Sequence, residues 1–116
     1  MKATELMIGD KVMVKVLSQI PGTYVLHTWT ANDYSRDIQV KPAPLTPEIL
    51  ENNGWKETQY WHEYQDGKNT IQCCLPDMRG IINGIEIEHF KCEYVHQYQH
   101  LLRLFGLDEL ANNFKV

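Results

Sequence analysis

The 116-residue sequence predicts an α+β fold assembled from antiparallel β-structure. Three observations carry that expectation. Short runs of alternating apolar residues fill the N-terminal part, Asp-Gly and Asn-Gly hairpin signals mark the second half, and an amphipathic helical pattern lies near the C-terminus. The length suits one domain over residues 1–116, with an SH3-like β subregion over 1–42 and an α+β subregion over 43–116.

Lys11–Leu17 alternates, with Val12, Val14 and Val16 on one face and Lys11 and Lys15 on the other. Pro21-Gly22 makes a turn, and Thr23–Thr30 is rich in β-branched and aromatic residues. Ala31-Asn32-Asp33 turns again before Arg36–Val40, where Ile38 and Val40 point inward. Three or four short strands with tight turns suggest a small curled antiparallel sheet of SH3-like type.

Pro42-Ala43-Pro44 breaks this pattern and leads into a short linking helix. Thr46 is its N-cap, Pro47 fills the first helical position, and Asn53-Gly54 supplies a left-handed stop. Antiparallel hairpins follow. Lys56–Tyr64 and Asn69–Leu75 are joined through Gln65-Asp66-Gly67-Lys68, and Gly80–Ile82 and Ile85–Phe90 through Asn83-Gly84. In the last strand Ile85 and Ile87 are expected to face in, with Glu86 and Glu88 out. The C-terminal amphipathic helix spans Glu93–Phe105, with Tyr94, Val95, Tyr98, Leu101, Leu102 and Phe105 on one stripe. Gly106 ends it, Leu107 can fold back on Leu102, and Asp108 can cap a last short turn.

Composition narrows the function classes. An apolar content of 43% and a charged content of 22% fit a folded domain rather than disorder. No apolar run approaches the ~20 residues that cross a bilayer, and MKATELMIGD lacks the apolar stretch of a signal peptide, so a cytoplasmic, non-membrane protein is expected. Cys73, Cys74 and Cys92 are an odd set that reads as free thiols acting as small hydrophobes. The net charge of −4 splits into +1 over residues 1–42 and −5 over residues 43–116, which disfavours broad binding to a phosphate backbone.

The helix carries the one metal-like pattern. His96 and His100 sit at i, i+4, and Glu93 shares their face three residues earlier, a two-His, one-carboxylate set. Gln97 stands where zinc-protease chemistry needs a glutamate, and an amide cannot take a proton from bound water. Both histidines lie opposite the apolar stripe beside Arg103, so a solvated helix face is the expectation and no cofactor is called for. A His89, Cys92, His96, His100 stripe would need a helix beginning at His89, which the alternation of Ile85–Phe90 opposes. Trp29, Tyr34, Trp55, Tyr60, Trp61 and Tyr64 could stack nucleic-acid bases, but the lysines and arginines such platforms interleave are missing, and core packing is the expectation. No catalytic elbow or phosphate-cradling loop is present.

Three stretches together carry a resemblance: ATELMIGDKV at residues 3–12, PLTPEILENNGW at 44–55 and YVHQYQHLLRL at 94–104. They cover about a third of the chain, and the middle one is the most specific. The chain resembles a family of small uncharacterised proteins of Bacteroides-type bacteria and their phages and mobile elements. The resemblance implies a bacterial or phage accessory protein and brings no functional residue with it. Lys11, Gln97 and Phe105 depart from the tryptophan, glutamate and cysteine that it leads one to expect. The sequence thus points to a non-enzymatic binding or adaptor domain that works through protein–protein contacts. A nucleic-acid-associated accessory role and a metal-binding role through the C-terminal helix are the alternatives.

Overall fold

A computed structural model describes residues 2, 5–16, 24–35, 38–59, 61–74, 79–87 and 92–116. It is α+β, with antiparallel pairing throughout its two sheets. The chain forms two compact units, residues 1–44, 94–114 and 116 in the first and 45–93 and 115 in the second.

The first unit holds a three-stranded sheet. Its strands are β1 (Lys11–Val16), β2 (Val25–Thr28) and β3 (Ile38–Pro42), in the order β2-β1-β3. The alternation in β1 works as expected: Val12 and Val14 are buried with Leu6 and Trp29, and Ile38 and Val40 pack on them. Helix α2 (Val95–Leu104) and helix α3 (Asp108–Asn112) complete this unit. The sequence placed the C-terminal helix with residues 43–116. Instead α2 packs on β1, because it has two surfaces to bury rather than one.

One surface is the apolar stripe of Val95, Tyr98, Leu101 and Leu102. The other is polar and includes His96 and Gln99, both buried, which corrects the expectation of a solvated face. The helix starts later than its pattern suggests. Tyr94 is the N-cap in extended conformation, and Gln97 Oε1 accepts its backbone N–H at 3.2 Å. Gln97 therefore closes the first turn, which a side-chain amide does well. At the other end Leu107 N–H reaches Leu102 O at 2.9 Å and Gly106 N–H reaches Arg103 O at 3.0 Å, with Gly106 at φ 75°. This is the Schellman pattern the sequence indicated.

The second unit is a five-stranded sheet in sequential order, formed by β4 (Lys56–Glu57), β5 (His62–Gln65), β6 (Thr70–Cys74), β7 (Arg79–Ile82) and β8 (Ile85–Ile87). Helix α1 (Pro47–Asn52) packs against β4 and β5 through buried Leu50. Thr46 Oγ1 caps it, accepting Ile49 N–H at 3.2 Å. The Asp66 carboxylate accepts Lys68 N–H at 3.0 Å and Asn69 N–H at 2.7 Å, fixing the β5–β6 hairpin.

Two details depart from the sequence reading. Lys56–Tyr64 is not one strand, because Thr58 and Trp61 exchange close hydrogen bonds (Thr58 N–H to Trp61 O at 2.7 Å) that fold the run back on itself. Ile85 is exposed rather than inward, since β8 is an edge strand of its sheet. Tyr60, His89 and Phe90 lie outside the described residues, as do Glu88 and Leu75.

Candidate functional site

In the first unit the chemistry-bearing side chains converge on Asp10, just ahead of β1, which is 0% exposed. Its carboxylate accepts Met7 N–H at 2.8 Å, His100 Nε2 at 2.6 Å and Arg103 Nη1 at 2.5 Å. Burial pushes this carboxyl up. The bonds from His100, Arg103 and Met7 outweigh burial and hold it below its ordinary value. Arg103 also donates to Asn112 Oδ1 at 3.2 Å.

Gln99 works beside this clamp. Its Nε2 donates to Gly9 O at 3.0 Å and Ala111 O at 2.8 Å, while its Oε1 accepts Lys11 N–H at 2.8 Å. Gly9 has φ 95°, and a Cβ there would stand 2.7 Å from Asn112 Oδ1. Only glycine lets the backbone run this close to α3. Both amide hydrogens and one oxygen lone pair of Gln99 are used, which ties β1, α2 and α3 together.

The candidate metal ligands take different places. His96 and His100 stand on α2 with rings 5.6 Å apart and edge to face, and His100 Nε2 is committed to Asp10. Glu93 is exposed and precedes the helix, in the second unit. Cys92 is also ahead of the helix and buried, so no His-Cys-His stripe runs along α2.

His96 is 6% exposed, and its Nδ1 has no hydrogen-bond partner among the described residues. Burial lowers its pKa from the ordinary 6.5; the Asp10 carboxylate pulls the other way, His100 adds to the lowering, and Glu5 opposes it. The unfolded chain therefore takes up a proton at this position at a higher pH than the folded one, so unfolding consumes a proton and stability falls as pH drops below 6.5. Urea unfolding on either side of that pH should show this fall, and His96→Leu should reduce the difference. An unchanged pH dependence in that variant would show that His96 is not its source.

The aromatic residues separate in the same way. Trp29 and Trp55 are buried and can stack nothing from solution. Trp29 instead meets His27 and Tyr34 edge-on, at 6.5 and 5.5 Å. These contacts brace the end of β2. Asp33 accepts His27 Nε2 at 2.6 Å and Thr30 N–H at 2.8 Å, and the Tyr34 hydroxyl donates to Leu6 O at 2.6 Å.

β2 is the more exposed of this sheet's two edge strands, β2 and β3. Among the described residues it pairs with β1 alone. Val25 and Leu26, whose side chains point to opposite faces, are 55% and 45% exposed. Met7, Ile8 and Tyr34 are further exposed apolar side chains around Trp29, since Gly9 N–H bonds to Trp29 O at 2.8 Å. Nothing in the sequence of residues 25–28 distinguishes an open strand from a covered one, because exposure depends on which neighbour pairs with it.

No helix among the described residues is long and apolar enough to cross a membrane. Cys73, Cys74 and Cys92 form no disulfide among the described residues, and burial, helped by the nearby Cys73, pushes the Cys92 thiol well up and away from reactivity. In comparisons with protein-family models, curated proteins and solved structures, none matches this chain.

Proposed function

We propose that the chain is a non-enzymatic adaptor whose N-terminal sheet, an SH3-like recognition module, binds an extended segment of another protein alongside β2. The observation that carries this reading is the edge of β2, which among the described residues pairs with β1 alone and exposes Val25 and Leu26 on opposite faces. An incoming strand gains main-chain hydrogen bonds along such an edge and places alternate apolar side chains against its two faces. The Asp33 and Tyr34 bonds hold β2 in its bonded shape beforehand, which reduces the ordering cost of binding. The family resemblance supports a cytoplasmic accessory role in a bacterium or its phage.

A nucleic-acid role has a narrower basis. Lys15 and Lys41 lie 5.8 and 4.3 Å from the Tyr24 ring, so half-buried Lys15 and exposed Lys41 are grouped on this sheet. The experiment that separates the two readings is purification of the tagged protein from its host with and without nuclease, alongside a Val25→Glu/Leu26→Glu variant. The adaptor reading expects a stoichiometric protein that survives nuclease and is lost from the folded variant. A partner retained by that variant would overturn the β2 edge, and partners that vanish with nuclease would favour Tyr24 and its lysines.

A further inference from the structure

The second unit brings together three metal-ligating side chains that are scattered in sequence. Glu51 comes from α1, Glu57 from β4 and His62 from β5. One ligand atom from each lies within 4.8 Å of the other two. Oxygen and nitrogen ligands at about 2.0–2.2 Å from a tetrahedral ion sit roughly 3.3 Å apart, so small side-chain rotations close the set around an ion. The backbone already fixes two of the three, because Glu57 and His62 are directly opposite in the β4–β5 ladder and the Thr58–Trp61 bonds close the turn between those strands.

A second observation points to a ligand independently. His62 Nε2 is shut off from solvent and has no hydrogen-bond partner among the described residues. A buried imidazole nitrogen without a partner is uncommon in a protein interior and is the donor a metal ion takes. Beside it opens a cavity of about 150 Å³, lined by Glu57, Thr58, Trp61, His62 and Cys74 among others. Among the described residues no cysteine joins this group, so water is the fourth ligand the site would take.

We propose that Glu51, Glu57 and His62 form a divalent transition-metal site. Zinc suits it best, because imidazole and carboxylate together favour a borderline ion that accepts a mixed donor set and leaves a fourth position open. The two glutamates supply the neutralising charge, and an ion between them relieves their mutual repulsion. The site lies outside α2 and shares no residue with the β2 edge, so it stands or falls separately from the adaptor reading.

The test is calorimetric titration of zinc chloride into full-length protein purified without a histidine tag, repeated on Glu51→Gln, Glu57→Gln and His62→Ala. One equivalent is expected to bind, with affinity at least about tenfold weaker in each glutamine variant and about a hundredfold weaker without His62. Glu51 and Glu57 are exposed, so their variants keep the experiment decisive even where His62→Ala fails to fold. No stoichiometric binding, or equal binding by the wild type and the glutamine variants, overturns the proposal.

Discussion

Asp10→Ala is expected to cost the first unit about 3–5 kcal/mol, the range seen when one partner of a buried ion pair is removed. The reason is what the substitution leaves behind. The Arg103 side chain is 10% exposed and loses its carboxylate, His100 loses the oxygen at 2.6 Å, and Met7 N–H loses its acceptor. Asp10→Asn keeps the shape but not the charge and should fall between the alanine variant and the wild type. Urea unfolding gives the magnitude, and hydrogen exchange of the β1 amides gives the location. A loss below about 1 kcal/mol would mean that these charges contribute no more than a surface pair.

Trp55→Ala is the largest expected effect in the second unit, again about 3–5 kcal/mol, but for a different reason. The indole is buried with its ring centroid 4.6 Å from that of Tyr64, and its backbone N–H bonds to Leu50 O at 3.0 Å across the end of α1. Alanine removes the largest side chain between helix and sheet and leaves a cavity that a two-turn helix is too short to hold closed. Loss of amide protection should appear first in β5 and β6. Trp55→Phe, which refills most of the space, should recover more than half of the stability, and a phenylalanine variant as weak as the alanine one would show that the fit of the indole, not filled volume, holds the helix.

The local grammar of this chain was legible and its long-range polar contacts were not. Thr46, Gly54, Asp66-Gly67 and Gly106 each act through neighbours within a few residues, so their signals read directly as caps and turns. Gln99 and His100 are bonded to Gly9 and Asp10, some 90 residues away, and no local pattern announces such a partner. One signal was present. His96, Gln99, His100 and Arg103 recur at i, i+3, i+4, i+7, the spacing of a buried stripe written in polar residues. The same spacing that suggested metal ligands was the packing seam of the helix. The Glu51, Glu57, His62 group was invisible for a related reason, since one helix, two strands and a turn not seen as a turn had to be placed before those residues could meet.

The first unit is discontinuous in sequence, and its two segments meet where they leave it. Pro44 bridges Tyr94, and Val95 N–H bonds to Ala43 O at 2.8 Å. Residues 45–93 begin and end at a matching pair, Leu45 N–H on Glu93 O at 2.9 Å. During synthesis this middle stretch is therefore complete while α2 is still inside the ribosome, and its local hairpins can form at once. The N-terminal sheet must wait with Asp10 unpaired until His100 and Arg103 emerge. In a nascent chain arrested before α2, residues 45–93 should resist protease sooner than residues 5–16, so the order of folding is the reverse of the order of translation.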